Sequence, residues 1–248
     1  MEKLFYPESI VVIGVSDRPD NLGQAVIHNL QEFAYRGQVY AVGRETGETL
    51  GQPVLASVDD LPEGIDLAVI LTPARTVPPL LDACGRKGIR WAVIQSGGFE
   101  EYEGGESIQA QLMEVADRWG IRFTGPNGLG VMCPESGVWL PFVRVKREQL
   151  RVGRVGVLAH SGGLSVALAL ALTDMGAGIS KEVSMGNQAS LTATDYLRYL
   201  LDDDKTDIIC MYLEGIRDGR ALLDAARGAP KPILLLKSQV TAESAKAA

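Results

Sequence analysis

The chain has 248 residues, of which 46% are hydrophobic and 22% charged, and its formal net charge is −7 at pH 7. This length allows one large domain or two of ordinary size, each with a buried core. The acidic balance excludes broad, non-specific nucleic-acid binding, which requires a basic surface. The first apolar run is too short to span a membrane, and no cleavage pattern follows it, so we expect a soluble, cytoplasmic protein. Three separated cysteines and two histidines indicate neither a disulfide framework nor a metal site.

Short apolar runs alternate with longer stretches of helical spacing along the first half of the chain. In order, the runs are SIVVIGV, QVYAVG, DLAVILT, RWAVIQS and IRFTG. Their hydrophobicity is continuous rather than alternating, which is typical of strands that are covered on both faces. The pattern predicts an α/β fold with a Rossmann-type, doubly wound parallel sheet over residues 1–130.

A segment rich in glycine and proline interrupts this alternation after residue 125 and is followed by a charged stretch. It predicts a linker over residues 131–152. The alternation then resumes with the runs RVGVLA, ISKEVS, DIICMYLE and PILLLK. We therefore expect a second, smaller α/β domain over residues 153–248.

The first strand-to-helix turn runs from Gly14 to Gly23. An NAD-binding turn has the spacing G-x-G-x-x-G, because glycines let the backbone approach a pyrophosphate at a helix N-terminus. Here Ser16 takes the place of the second glycine, and the distance to Gly23 is longer. The turn predicts a nucleotide site without selecting NAD, and a glycine that serves only a tight turn would fit the same residues.

Arg44 follows the second strand, where an NAD-binding domain has an acidic residue that binds the ribose hydroxyls. A guanidinium suits a phosphate instead, such as the ribose phosphate of coenzyme A or NADP. An exposed arginine without a ligand is the alternative. Two further strand ends carry Thr72 with Pro73 and Ser96 with Gly97. Since ligands bind at the carboxyl ends of parallel strands, we expect these residues to line the same crevice.

In the second domain, a turn from His160 to Gly163 joins a strand to a helix. Its amides and the helix dipole favour a phosphate. A hydrolase nucleophile elbow looks similar, but no histidine follows His160 to complete a triad in that order. Glu214 ends another strand, where a buried acid would need a partner and a surface acid would not.

Taken together, several segments resemble one family in their order along the chain. They are SIVVIG, VYAV, DLAVILTPA, IQSGGFEE, GPNGLG, HSGG, SMGN and YLEGIRDGR, and they resemble the NDP-forming acyl-CoA synthetases, which are related to the α subunit of succinyl-CoA synthetase. The resemblance covers essentially all 248 residues. It implies a CoA-binding Rossmann-type domain followed by a flavodoxin-like ligase domain, with coenzyme A as cofactor and an ATP-grasp domain or subunit as partner.

The resemblance also assigns roles to residues. It implies that Glu214 is catalytic and orients a phosphorylated histidine, and that Ser161, Gly162 and Gly163 bind phosphate. The residues expected to bind the cofactor are Gly14, Ser16, Gly23, Val42, Arg44, Thr72, Pro73, Ser96, Gly97 and Asn127. The sequence departs from the family at Gly43-Arg44-Glu45, where Asn-Pro-Lys is usual, and at Gly128, where cysteine is usual. At the first departure, Arg44 could replace the lysine of the family's Asn-Pro-Lys in contacting the phosphate.

The implied activity is that of an acid–thiol ligase. Such an enzyme converts acyl-CoA, phosphate and a nucleoside diphosphate to the acid, CoA and the triphosphate, through an acyl phosphate and a phosphohistidine. The motif with that histidine would follow Ala248, so we expect the second domain to be incomplete at its C-terminus. Two other functions stay open, namely a CoA- or acyl-CoA-sensing region of a protein acetyltransferase and an NAD(P)-binding oxidoreductase. A homo-oligomer is also left open.

Overall fold

A computed structural model of the chain describes residues 1–238. Within these residues, the first part of the chain forms a seven-stranded sheet. Its strands are β1 (Ser9–Ile13), β2 (Gln38–Val42), β3 (Gly47–Thr49), β4 (Gln52–Leu55), β5 (Leu67–Ile70), β6 (Trp91–Ile94) and β7 (Arg122–Thr124). The helices of this part are α1 (Glu2–Phe5), α2 (Leu22–Glu32), α3 (Val77–Arg86) and α4 (Glu106–Trp119).

The order of the first sheet is β3-β4-β2-β1-β5-β6-β7, and all neighbouring strands are parallel except β3 and β4. The chain starts in the middle of the sheet and moves outward in both directions, so the strand order reverses beside β1. The central strands β1, from Ile10 onward, and β5 are apolar and buried because helices cover both faces. The predicted Rossmann-type, doubly wound sheet is confirmed.

The second part of the chain forms a six-stranded sheet within the described residues. Its strands are β8 (Gly130–Cys133), β9 (Val138–Trp139), β10 (Val152–Ala159), β11 (Ile179–Ser184), β12 (Ile208–Leu213) and β13 (Ile233–Lys237), and its helices are α5 (Gly162–Asp174), α6 (Ala193–Asp202) and α7 (Gly219–Ala226). The order is β13-β12-β10-β11-β8-β9, with β10 to β13 parallel. Over residues 1–238, every helix is too short or too polar to cross a membrane.

The segment expected to be a linker, residues 131–152, differs from that expectation. It contributes β8 and β9, which extend the second sheet in antiparallel pairing with β11 and with each other. Val131, Cys133, Val138 and Trp139 are fully buried. Strands of four and two residues between glycine and proline are too short to show a periodic pattern, so the sequence suggested only a loop. The last ten residues assigned to the second domain, 239–248, lie outside the described residues.

One apolar cluster is common to the two sheets. A single cluster of buried side chains joins Val12 of β1 and Val93 of β6 to Val131 of β8 and Leu158 of β10. Burying one such side chain contributes about 1.5–3 kcal/mol, so the cluster stabilises both halves. The shared core holds the carboxyl ends of the two sets of parallel strands in a fixed relationship.

Candidate functional site

The Gly14 turn closes over the N-terminus of α2. Gly14 has φ +105°, and a Cβ there would lie 2.3 Å from the carbonyl oxygen of Leu71, so only glycine fits. The Asn21 side chain caps the helix, since its Oδ1 accepts from the Gln24 amide at 2.8 Å. Its Nδ2 donates to the Gly14 carbonyl oxygen at 3.0 Å. The sequence from Gly14 to Gly23 is therefore a fixed loop at the positive end of a helix.

The other predicted cofactor residues lie at the same edge of the sheet. Strand register places the ends of β2, β1, β5 and β6 side by side. The Thr72 amide donates to Ser96 Oγ at 3.1 Å, and the Ser96 carbonyl oxygen accepts from the Asn127 amide at 2.9 Å. Val42 is buried, whereas Arg44 is exposed. The edge thus carries backbone and hydroxyl groups, and the guanidinium of Arg44 is open to solvent.

Asn127 connects this edge to the second half of the chain. It follows Gly125–Pro126, a cis peptide, and has φ +60°. Its side-chain Nδ2 donates to Asn187 Oδ1 at 3.4 Å. The Asn187 side chain in turn donates to Glu101 in the loop after β6. These contacts close the gap between the two sheets with side-chain hydrogen bonds.

Glu101 is held as a carboxylate by its neighbours. Its Oε1 accepts from the Gly98 amide at 2.6 Å and from the Phe99 amide at 3.2 Å. Burial acts to raise the pKa of Glu101, but these amides and the Asn187 side chain outweigh it, and the pKa is below its usual range. A negative charge therefore persists at the junction of the two halves.

The predicted phosphate turn begins α5. Ser161 is its N-cap, and Ser161 Oγ accepts from the Leu164 amide at 3.3 Å. A Cβ at Gly162 would lie 2.7 Å from Cγ of Leu129, whereas at Gly163 it would meet no described atom within 4 Å. One glycine is therefore required by packing, and the other faces open space at the positive end of a 13-residue helix.

Between these two regions lies a cavity of about 350 Å³. Both halves of the chain contribute to its wall, which is formed by Glu101, Asn127, His160, Gly186, Asn187, Gln188, Glu214, Gly215 and Arg217. Of the predicted site residues, Asn127 and Glu214 line it, and the phosphate turn follows directly after His160. The other predicted cofactor residues lie along the first sheet's edge and are not part of this wall.

Glu214 lies at the end of β12, in contact with two strand ends. Its backbone amide lies 3.2 Å from Nδ1 of His160, and its carbonyl oxygen accepts from Lys237 Nζ at 2.6 Å. Arg217, three residues later, forms an ion pair with Glu100 and donates from Nη2 to the Asn187 carbonyl oxygen at 2.7 Å. The second half therefore reaches across the cavity to the loop after β6.

Two family models match the two parts of the chain, and the first of them extends over β8 of the second sheet. A "CoA binding domain" matches residues 8–134, and a "Succinyl-CoA ligase like flavodoxin domain" matches residues 152–248. The chain belongs to the NDP-forming acyl-CoA synthetase family. It corresponds to the CoA-binding, α-subunit-like part, which confirms the resemblance seen in the sequence and coenzyme A as the cofactor of the first domain.

Relatives of this acyl-CoA synthetase chain are longer. It is 40% identical to acetate–CoA ligase [ADP-forming] I of Archaeoglobus fulgidus. This match covers the whole of this chain and 36% of the relative. It is 36% identical to the α subunit of acetate–CoA ligase [ADP-forming] I of Pyrococcus furiosus, over 54% of that subunit. Its fold matches the apo form of dinucleotide forming acetyl-coenzyme A synthetase 1 of Ca. Korarchaeum cryptofilum, with a TM-score of 0.92, 33% identity, and coverage of 99% of this chain and 54% of that one. The chain thus spans between a third and about half of these relatives.

Several residues of the candidate site were not predicted. Glu101, Asn187, Gln188 and Arg217 line the cavity, and none of them was singled out in the sequence. All four lie in loops that directly follow parallel strands, within the motifs SGGFEE, SMGNQ and LEGIRDGR. Their position directly after a strand was the signal in the sequence that could have identified them. The sequence did not show which loops of one half face the other half.

Proposed function

We propose that this chain binds CoA at the carboxyl edge of its first sheet and handles phosphate at the N-terminus of α5, as part of an NDP-forming acyl-CoA synthetase. The whole enzyme would interconvert acyl-CoA, phosphate and a nucleoside diphosphate with the acid, CoA and the triphosphate. The observation that supports this most strongly is the cavity between the two halves. It adjoins the CoA-binding edge at Asn127 and the phosphate turn at His160.

The residues at the first edge fit the pyrophosphate and ribose phosphate of CoA. Apart from the Asn21 cap, the glycines of this turn put no side chain at the α2 N-terminus, so that backbone amides can approach a pyrophosphate. Arg44 is exposed beside this turn and can pair with the ribose phosphate through its planar guanidinium. Thr72, Ser96 and Asn127 continue the edge toward the cavity and would hold the remainder of CoA in that direction.

The residues at the second edge suit a phosphoryl group. Ser161, Gly162 and Gly163 present amides at the start of α5, and Gly163 leaves open space for a tetrahedral anion. Glu214 lines the adjoining wall and can accept a hydrogen bond from an imidazole N–H. In this role Glu214 orients a phosphorylated histidine delivered to the cavity.

The complete reaction needs a further nucleotide-binding partner, which we propose is an ATP-grasp domain or subunit. The greater length of the relatives supports this, since 36% and 54% of the two curated relatives are matched. We therefore expect the 248-residue chain to bind CoA and phosphate without making acyl-CoA from acid, CoA and ATP.

Calorimetric titration with CoA, dephospho-CoA and NADP tests the proposal. We expect CoA to bind about tenfold or more tightly than dephospho-CoA, because a charge-assisted hydrogen bond contributes about 1.5–3 kcal/mol. Arg44→Ala should remove this preference, whereas Arg90→Ala, at the opposite end of β6, should keep it. Tight binding of NADP together with no binding of CoA would overturn the proposed function.

A further inference from the structure

Arg217 carries the positive charge in the wall of the cavity. The side chains of Glu101 and Glu214, which line the same wall, are acidic. The His160 ring is neutral around pH 7, because burial lowers its pKa. Lys237 lies close by, but its Nζ donates to the Glu214 carbonyl oxygen at 2.6 Å and is not part of the wall. Within residues 1–238, an anion that enters the cavity therefore meets one permanently charged cation in the wall.

The guanidinium of Arg217 is fixed along one side. Its Nε and Nη2 donate to the Asn187 carbonyl oxygen at 3.2 Å and 2.7 Å, and Nη2 also pairs with the Glu100 carboxylate. These three bonds leave two of the five N–H groups of the side chain, both on Nη1. Nη1 has no hydrogen-bond partner within residues 1–238, so these two N–H groups remain available to a ligand.

The bonds of Arg217 place it between the two proposed ligands. Glu100 lies in the loop after β6, one of the strands of the CoA-binding edge, and Asn187 lies in the loop after β11. The proposed phosphate turn follows His160, and the charge of Arg217 contributes to lowering the pKa of that ring. The guanidinium thus acts across the cavity while it is held on the side of the CoA-binding half. An acyl group that passes between CoA and phosphate has to cross this space.

We propose that Arg217 binds the carboxylate of the organic acid through Nη1, on the CoA side of the cavity. A guanidinium N–H and a carboxylate oxygen form a charge-assisted hydrogen bond. This bond would offset the repulsion between the acid and the wall carboxylates of Glu101 and Glu214. The inference rests on the proposed function, which supplies an organic acid as a substrate. It goes further because it assigns recognition of the acid to one residue, and that residue lies outside the phosphate turn.

Glu100 competes with the acid for the charge of Arg217. Glu100→Gln keeps an oxygen that can accept from Nη2 but removes the negative charge, so the acid should bind about twofold or more tightly. Arg217→Gln removes the cation and should weaken the acid at least about tenfold. If the ion pair served only to join the two halves, loss of either member would weaken binding. The opposite signs of the two effects therefore distinguish an anion site from a structural contact.

Acetate tests the inference, with acetamide as a neutral analogue of the same shape. Each is titrated into the full chain in the presence of saturating CoA at pH 7.5, with ionic strength held constant by chloride, and saturation-transfer NMR of its methyl group measures binding. We expect acetate to bind at least about tenfold more tightly than acetamide. Arg217→Gln should remove this preference. Arg220→Gln, an exposed substitution in α7, should keep it.

Titration with CoA separates two kinds of failure. If CoA binds but acetate is not preferred over acetamide, the inference is wrong and the proposed function stands. The same holds if Arg217→Gln weakens inorganic phosphate and leaves acetate unchanged, or if Glu100→Gln weakens acetate. If the natural chain does not bind CoA, the proposed function itself is wrong. Should Arg217→Gln not fold, the acetamide comparison on the natural chain and the sign of the Glu100→Gln effect still decide.

Discussion

The side-chain Nδ2 of Asn127 lies 3.4 Å from Oδ1 of Asn187 and joins the end of the first sheet to the loop after β11. The loop after β6 takes part through Glu101, which accepts from the other end of the Asn187 side chain. This short chain of polar contacts crosses from the CoA-binding half to the half with the proposed phosphate turn. It places groups that lie 86 residues apart in the sequence on one side of the cavity.

Removing Asn187 should raise the pKa of Glu101. In Asn187→Ala, burial still acts on the carboxyl group but one of its hydrogen bonds is lost, so the pKa moves up toward its usual range. Because the folded-state pKa is depressed, the stability it provides is present above the unfolded pKa and lost as pH falls through the folded one. We expect a loss of up to about 1 kcal/mol at pH 7, since Glu101 is solvent-screened, and almost none at pH 3.

Carbon-13 NMR of the glutamate carboxyl groups and urea denaturation at the two pH values measure this prediction. Glu103→Gln, an exposed substitution in the same loop, serves as the control and should be neutral at both. An equal loss of stability in Asn187→Ala at pH 3 and pH 7 would contradict the link to Glu101.

Gly14→Ala should destabilise the fold and weaken the binding of CoA. The added Cβ would approach the Leu71 carbonyl oxygen to 2.3 Å, and φ +105° is strained for any side chain. We expect the free energy of unfolding to fall by about 2 kcal/mol or more. The matched control is Gly47→Ala, where a Cβ would meet no described atom within 4 Å. Urea denaturation of both variants tests this prediction. If Gly14→Ala is as stable as Gly47→Ala, the turn can adjust to a side chain.

Ser161→Ala should affect both stability and phosphate binding. The hydroxyl caps the Leu164 amide, and loss of such a cap costs about 1 kcal/mol. Thr192→Ala removes the N-cap of α6, which is outside the cavity wall, and should cost a similar amount. Phosphate titration distinguishes them, because only Ser161→Ala should bind phosphate more weakly. If the two variants bind phosphate alike, Ser161 serves only as a cap.

Glu182→Gln should stabilise the protein at alkaline pH. Glu182 is fully buried on β11, and the Ser165 hydroxyl is the one polar side chain that lowers its pKa. Burial raises its pKa well above the usual value, so the folded state keeps a proton that the unfolded chain releases. The free energy of unfolding of the natural chain therefore falls as pH rises above the unfolded pKa. The variant lacks this decline.

Denaturation between pH 4 and pH 8 tests this. One pKa unit corresponds to about 1.4 kcal/mol, so we expect Glu182→Gln to exceed the natural chain by at least about 1 kcal/mol at pH 8, with a smaller difference at pH 4. Glu148→Gln, exposed before β10, should show no such trend. A difference that stays constant with pH would mean that Glu182 is already ionised in the folded state.

Much of the architecture could be predicted because continuous apolar runs identify strands that helices cover on both faces. β1, β5, β6 and β12 were all found in this way. The antiparallel strands β8 and β9 were not, since they are short and occur among glycines and prolines. Glu182 was also missed: one acid within ISKEVS looks like a surface residue until the strand is seen to be internal.

The site was predicted in its parts but not in its assembly. The turns at Gly14 and Ser161 have local patterns, because a helix N-terminus and its glycines are neighbours in the sequence. The cavity wall has no such pattern, since Glu101, Gln188 and Arg217 meet only when two sheets pack together. Their contacts depend on tertiary distances that one sequence does not show.

The strands β8 and β9 couple the unfolding of the two halves of the chain. They belong by sequence to the segment that leaves the first sheet, yet they form the outer rows of the second sheet, and Val131 lies in the apolar cluster common to both. Neither half can melt without exposing part of the other's interior. Calorimetry should accordingly record one heat-absorption peak for the chain instead of two, and a protease cut near residue 134 should release no folded fragment.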